Sequence, residues 1–386
     1  MKHIDQAFAK GISSAFIVAS PFQLLCAIEA IHEFEIKEYQ IIFILEKASP
    51  RNQQLFAMAE SFGVKYDLYW HEDIYQEYKQ AYGKNSLEQQ ACYDRIFIGD
   101  YSPVLYKYLA LRYANQDAVL VYLDDGNSTI CFLRNQEAAN KPKNWRKWLN
   151  WEKNRIIRKR ELAGILAQKS LKDPKCFFTI YSNVKPTIFA IYPNTFAYVS
   201  SKALKKHEKE DNIVLIVGTA IQAYAEEVCN IDISLMEAIH WDRLKRVRDM
   251  YPNQKIVYIP HGRDNNAFIP QFCSMLDIEY AKISEPIESY MLKSSYEPVA
   301  IYSFGSSALY TLHKFYSKAQ VVSWKPKHID GDGRQKWEKT IDAYYAQDGI
   351  KEDDIWLPKG VNKSSNSIGE NLLSIINLIK DKLHRK

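Results

Sequence analysis

The sequence predicts an α/β protein made of two doubly wound halves. Three observations carry that prediction. Short apolar runs such as residues 15–19 and Lys255–Ile259 alternate with helix-period segments, the pattern of parallel strands covered on both faces. The chain has 386 residues, 47% of them hydrophobic, which is long for one core and comfortable for two. A polar run at 202–211 reads as a linker between two such series.

In the first series, 15–19 reads as a buried strand and 23–34 as a helix with Leu24, Ile28 and Ile31 at helical spacing. A strand at 40–45, a helix at 51–62, a strand at 95–98, a helix at 103–113 and a strand at 118–123 follow. Segment 141–160 breaks the rhythm. It holds Arg146, Lys147 and Trp148 within a run of basic residues and tryptophans. It reads either as a solvated helical hairpin with its tryptophans inward, or as a patch that touches acidic glycan or anionic lipid. The second series predicts strands at 213–217, 255–259, 299–302 and 320–324, with helices at 235–251, 285–292, 307–315 and 336–345. A terminal amphipathic helix at 368–383 places Leu372, Ile375, Ile376 and Ile379 on one face. The predicted domains are 1–205, 206–361 and a C-terminal helix, 362–386, that packs back on the first.

Composition narrows the function. Net charge is +5, from 51 basic and 46 acidic residues, too mild to argue for nucleic acid. The six cysteines form no C-x-x-C pair, so neither a zinc knuckle nor a redox motif is predicted, and no metal site is expected. Residues 1–11 carry Lys2, Asp5 and Lys10 and lack the apolar core of a signal peptide. No uncharged apolar run approaches the ~20 residues of a spanning helix. A cytoplasmic protein is predicted; on the second reading of 141–160, that segment makes peripheral contact at the inner face of the membrane.

Three motifs carry the chemistry, each where an apolar run breaks into a polar loop. Ligands of open α/β sheets bind outside the carboxyl ends of the strands. Asp124-Asp125-Gly126 offers two carboxylates, of which adjacent spacing lets at most one face a ligand comfortably. It is also an ordinary Asp-Gly turn. Pro260-His261-Gly262-Arg263-Asp264 brings an imidazole and a guanidinium that could meet a phosphate, or a loop histidine bonded to nearby backbone. Ser306-Ser307 opens a helix, where unpaired N–H groups favour an anion. Serine there is equally a plain N-cap. Gly218-Thr219 ends the first strand of the second half, a usual place for backbone contact with a nucleotide.

Two Rossmann-like halves with a linker and a returning helix describe the GT-B arrangement of glycosyltransferases, whose sheets face each other across a cleft. The ordered motifs resemble those of the bacterial sialyltransferases and polysialyltransferases: D/E-D/E-G at Asp124-Asp125-Gly126, HP at His261 with Arg263 and Asp264, and S-S/T at Ser306-Ser307. The opening Ser20-Pro21-Phe22-Gln23-Leu24-Leu25 looks like the start of these enzymes, and Glu288 matches their glutamate on the CMP ribose. The departure is Gly262, where the family usually has proline, so this loop lacks the ring that fixes φ there. The resemblance implies an inverting, metal-independent transferase of a nonulosonic acid (sialic, legionaminic or pseudaminic) from its CMP donor to a glycan hydroxyl, as in capsule synthesis. No cofactor beyond that co-substrate is implied. By the same resemblance Asp125 is the general base with Asp124 as fallback, and His261 the phosphate ligand and general acid. Ser306 and Ser307 hold the phosphate and Glu288 the ribose, with Arg263, Gly218 and Thr219 also donor-side. Alternatives are the same architecture with CMP-Kdo or a UDP-sugar, and a non-catalytic binder of polyanionic glycan.

Overall fold

The computed structural model describes residues 2–84, 92–100, 104–133, 153, 172–184, 187, 189–203, 211–264, 266–328 and 336–357. The 141–160 segment apart from Lys153, with Arg146, Lys147 and Trp148, lies outside these residues, as does the predicted C-terminal helix. The chain divides into two compact units, Met1–Lys206 and His207–Lys386.

The first unit is a seven-stranded parallel sheet. Its strands are β1 (Ser14–Val18), β2 (Tyr39–Leu45), β3 (Tyr66–Trp70), β4 (Tyr93–Ile98), β5 (Ala114–Tyr122), β6 (Lys172–Thr179) and β7 (Ala190–Pro193). Their order is β3-β2-β1-β4-β5-β6-β7. Every residue of β1 is buried, because helices cover both faces and leave no polar side for water. Phe16 and Phe97 stack at 4.5 Å across the β1–β4 pair. Helix Pro21–Glu33 follows β1. Pro21 suits its first turn, and Ser20 accepts the Gln23 N–H as N-cap.

The second unit repeats the plan. Its strands are β8 (Asp211–Val217), β9 (Lys255–Ile259), β10 (Glu279–Tyr280), β11 (Tyr296–Ser303), β12 (Gln320–His328) and β13 (Lys351–Leu357). They run parallel in the order β10-β9-β8-β11-β12-β13. Val214, Ile216, Ile256, Tyr258, Tyr302 and Trp324 build the core that helix Ile233–Met250 covers. In both units the connections run one way from the first strand and then the other, so each sheet has a topological switch point: β1/β4 and β8/β11. Both units are thus Rossmann-like α/β folds, as the alternating pattern predicts.

Several elements were not predicted. β3 and β13 are edge strands with mixed exposure, so neither shows a continuous apolar run. β6 opens on Lys-Asp-Pro-Lys, a turn-like composition. After β8, helix Ile221–Ala223 widens into a π-helical stretch, Tyr224–Cys229, which periodicity does not announce. The ends of the predicted linker belong to regular elements: Lys202 to helix Ala197–Ala203 and Asp211 to β8; residues 204–210 lie outside the described residues. Among the described residues no helix is long and apolar enough to cross a membrane.

Candidate active site

In the first unit, the predicted acidic pair follows β5 at the carboxyl edge of the sheet. Its two members have opposite surroundings. Asp124 is fully buried. Its carboxylate accepts hydrogen bonds from the Thr179 hydroxyl and, at 2.8 Å, from the Ile180 N–H, tying the end of β5 to the end of β6. Burial raises its pKa to about 7. The Thr179 and Ile180 bonds oppose the rise, while the Asp125 charge adds to it.

Asp125 is only half-buried. Its Oδ1 accepts from Gln23 Nε2 at 2.9 Å and its Oδ2 from Ser128 Oγ at 3.2 Å. Burial also raises the pKa of this carboxyl, against the lowering effect of Gln23, Ser128 and Arg51. Gly126 turns the chain at φ 59°, a conformation glycine adopts without steric cost. The Asp125 N–H donates to Thr129 Oγ1 at 2.9 Å, which fixes the turn from the other side.

In the second unit the three other motifs leave adjacent central strands. Gly218 follows β8, His261 follows β9 and Ser306-Ser307 follow β11. Gly218 donates its N–H to Ile259 O at 2.8 Å. A Cβ on Gly218 would lie 2.9 Å from the His261 nitrogen and from Pro260 Cα, so the two loops touch backbone to backbone. Asp264 accepts the Ile221 N–H, which holds the histidine loop to the first turn after β8. His261 is half-buried, and its Nδ1 accepts the Arg263 N–H at 3.1 Å. A neutral ring therefore carries its proton on Nε2. Arg263 itself is exposed.

Ser303 Oγ donates to Val217 O at 2.8 Å and stitches β11 to β8 at the switch point. Gly305 then takes φ 67° and leads into the serines. The helix begins at Ala308 rather than at Ser307. Ser307 sits at the cap position in helical geometry with no side-chain capping bond, so simple N-capping is not its role here. Glu288 lies in the first turn of helix Ile287–Lys293 and is buried. Its carboxylate accepts its own backbone N–H. Burial raises its pKa, against the lowering effect of that bond. Thr219 lies beside Gly218 at the same edge.

No protein-family model matches the chain, and no curated protein matches it. Several solved structures are similar. A candidate UDP-N-acetylglucosamine 2-epimerase from Listeria monocytogenes is 12% identical, with 95% of this chain and 88% of that one covered at a TM-score of 0.46. The 2,6-sialyltransferase of Photobacterium sp. JT-ISH-224, in complex with CMP and lactose, is 11% identical, covering 88% and 78%, at 0.46. The GT-B domain of a Photobacterium damselae sialyltransferase is 11% identical, covering 90% and 100%, at 0.45.

Sequence reading missed the partners that orient these groups. Thr179 and Ile180 lie more than fifty residues from Asp124 in sequence, and Gln23 lies 102 residues from Asp125. Gln23 carried one signal: a polar residue between Phe22 and Leu24 on the helix side that faces the sheet.

Proposed function

We propose that the chain is an inverting glycosyltransferase that moves a nonulosonic acid from a CMP donor to a glycan hydroxyl, without a metal, in the synthesis of capsule or another surface polysaccharide. The observation that carries this reading is the edge of the second unit. There Gly218, His261 and the Ser306-Ser307 loop leave three neighbouring strands around one switch point, with an imidazole N–H and hydroxyl donors suited to one phosphate. Ser306, Ser307 and Arg263 meet the CMP phosphate, Glu288 takes ribose hydroxyls, and Gly218 and Thr219 allow close backbone approach.

Asp125 is the base in this scheme and Asp124 its support. An acceptor cannot reach a carboxylate that is fully buried and already bonded to Thr179 and Ile180, whereas Asp125 keeps an exposed side. The acceptor oxygen attacks the anomeric carbon and its proton passes to Asp125. The bond from that carbon to the phosphate oxygen breaks, and CMP departs. His261 faces the phosphate with Nε2–H and stabilises the growing negative charge by hydrogen bonding. CMP has a second phosphate ionisation near 6, so it can leave as a dianion near neutral pH. Arg146, Lys147 and Trp148 would serve the acceptor polymer or an anionic membrane.

The test is CMP release from a panel of CMP-nonulosonates, CMP-Kdo and UDP-sugars with glycan acceptors. Release is expected from a CMP-nonulosonate, and Asp125→Ala and His261→Ala should each lower turnover by about 10²-fold or more with the fold intact. Release from UDP-sugars alone, or near-normal turnover by either variant, would reject the assignment.

A further inference from the structure

The side chain of Gln23 is held at three points. It is 3% exposed, at the start of the helix that follows β1. Its Oε1 accepts the Ala19 N–H at 2.8 Å, and its Nε2 donates to Asp125 Oδ1 at 2.9 Å. The first bond fixes which end of the amide faces Asp125, because only the oxygen can accept an N–H. The third point is steric. Gly99, just past β4, leaves the space the amide fills: a Cβ there would lie 2.3 Å from Gln23 Oε1 and 2.4 Å from its Cδ. The amide thus lies over the β1/β4 switch point and reaches the carboxylate that follows β5.

We propose that Gln23 is the positioning residue of the first unit, an amide clamp that sets the rotamer of Asp125 and keeps its carboxylate an acceptor. The inference rests on the reading of Asp125 as a base and adds the residue that prepares it. A carboxylate free to rotate would lose its alignment with an acceptor hydroxyl, and misplacement of about 1 Å can cost ~10²-fold. The clamp also biases protonation, since a donor facing the carboxylate favours its charged form.

Among the described residues, these other groups bear on Asp125. Asp124 neighbours it on the same loop, and Arg51 from helix Pro50–Phe62 lowers its pKa. Tyr106, on helix Val104–Tyr113, is buried and feels Asp125 together with Asp100, Glu46 and Arg51. Ser128 is the second donor. Gln23 favours the ionised form more than Ser128 or Arg51 does.

The decisive variant is Gln23→Glu. It keeps the shape and can still accept the Ala19 N–H, but it replaces a donor with a second carboxyl about 3 Å from Asp125. Gly99→Ala is the remote counterpart, since the nearest neighbours of its methyl are all atoms of the Gln23 side chain, which must give way. The full chain is labelled with ¹³C at aspartate carboxyls, and the Asp125 signal is assigned with Asp125→Asn and titrated. In Gly99→Ala the midpoint should rise by about one pH unit, and in Gln23→Glu by about two, as the two carboxyls share a proton. The acidic limb of CMP release should move with it, while donor KM stays within about twofold. A merely structural role for Gln23 would lower activity at every pH and leave the limb in place. An Asp125 titration that moves in neither variant overturns the inference. Titrations that move in the variants, together with a wild type that releases CMP from no donor, would overturn the transferase reading alone.

Discussion

Asp124→Asn separates the structural from the chemical member of the acidic pair. The wild-type carboxyl is fully buried and its pKa stands at about 7, against an ordinary value of 3.8. Below 3.8 the group is protonated in folded and unfolded chains alike, and its burial carries no ionisation penalty. As pH rises from 3.8 to 7, the unfolded chain releases this proton while the folded chain retains it. Stability therefore falls by about 1.4 kcal/mol per pH unit over that window and levels off above it, a loss of about 4 kcal/mol. Asparagine does not titrate. Its oxygen can still accept the Ile180 N–H, and its NH₂ can donate to Thr179 Oγ1. The variant should therefore match the wild type near pH 4 and gain on it by about 4 kcal/mol by pH 8. Urea unfolding of both proteins from pH 4 to 8 measures this. The difference between them reports Asp124 with its coupling to Asp125, because every other group is common to both. A difference that is flat with pH, or that grows toward acid, would refute a buried carboxyl held protonated by desolvation.

Two further outcomes follow from close packing and capping. Gly218→Ala would press a methyl to 2.9 Å from the backbone of Pro260 and His261. The loops must part, lowering stability by about 1–3 kcal/mol and weakening the thermal shift that CMP induces. Glu29 is buried on helix Pro21–Glu33 and accepts the N–H groups of Tyr198 and Val199, each at 2.9 Å, as the cap of helix Ala197–Ala203. Glu29→Ala should cost about 1–2 kcal/mol and raise amide exchange first in 197–203.

The legible part of the fold was the part with strong periodicity. Lys255–Ile259 was predicted to the residue, and the helix at 51–62 differs from the observed Pro50–Phe62 by one position. Central strands are read well because burial on both faces forces a continuous apolar run. The edge strands β3 and β13 and the two-residue β10 escaped because their faces need not be uniformly apolar. Helix Phe268–Met275 escaped as well: Pro270 looks like a breaker, yet in a first helical turn it removes no needed donor. The motif loops were legible from their position alone, since in such sheets polar residues straight after buried strands gather at one edge.

Residue order alone determined that two parallel-sheet units would form, and that Asp124-Asp125, His261 and Ser306-Ser307 would emerge at the carboxyl ends of their strands. Hydrophobic period and turn chemistry are local, so they survive in a one-dimensional reading. Which carboxylate is entombed and which keeps a face to solvent was settled only by folding, through Thr179, Ile180 and Gln23. Desolvation and hydrogen bonding depend on neighbours that the chain supplies from far away, and identical side chains one residue apart acquire different burial and partners only once those neighbours are packed around them.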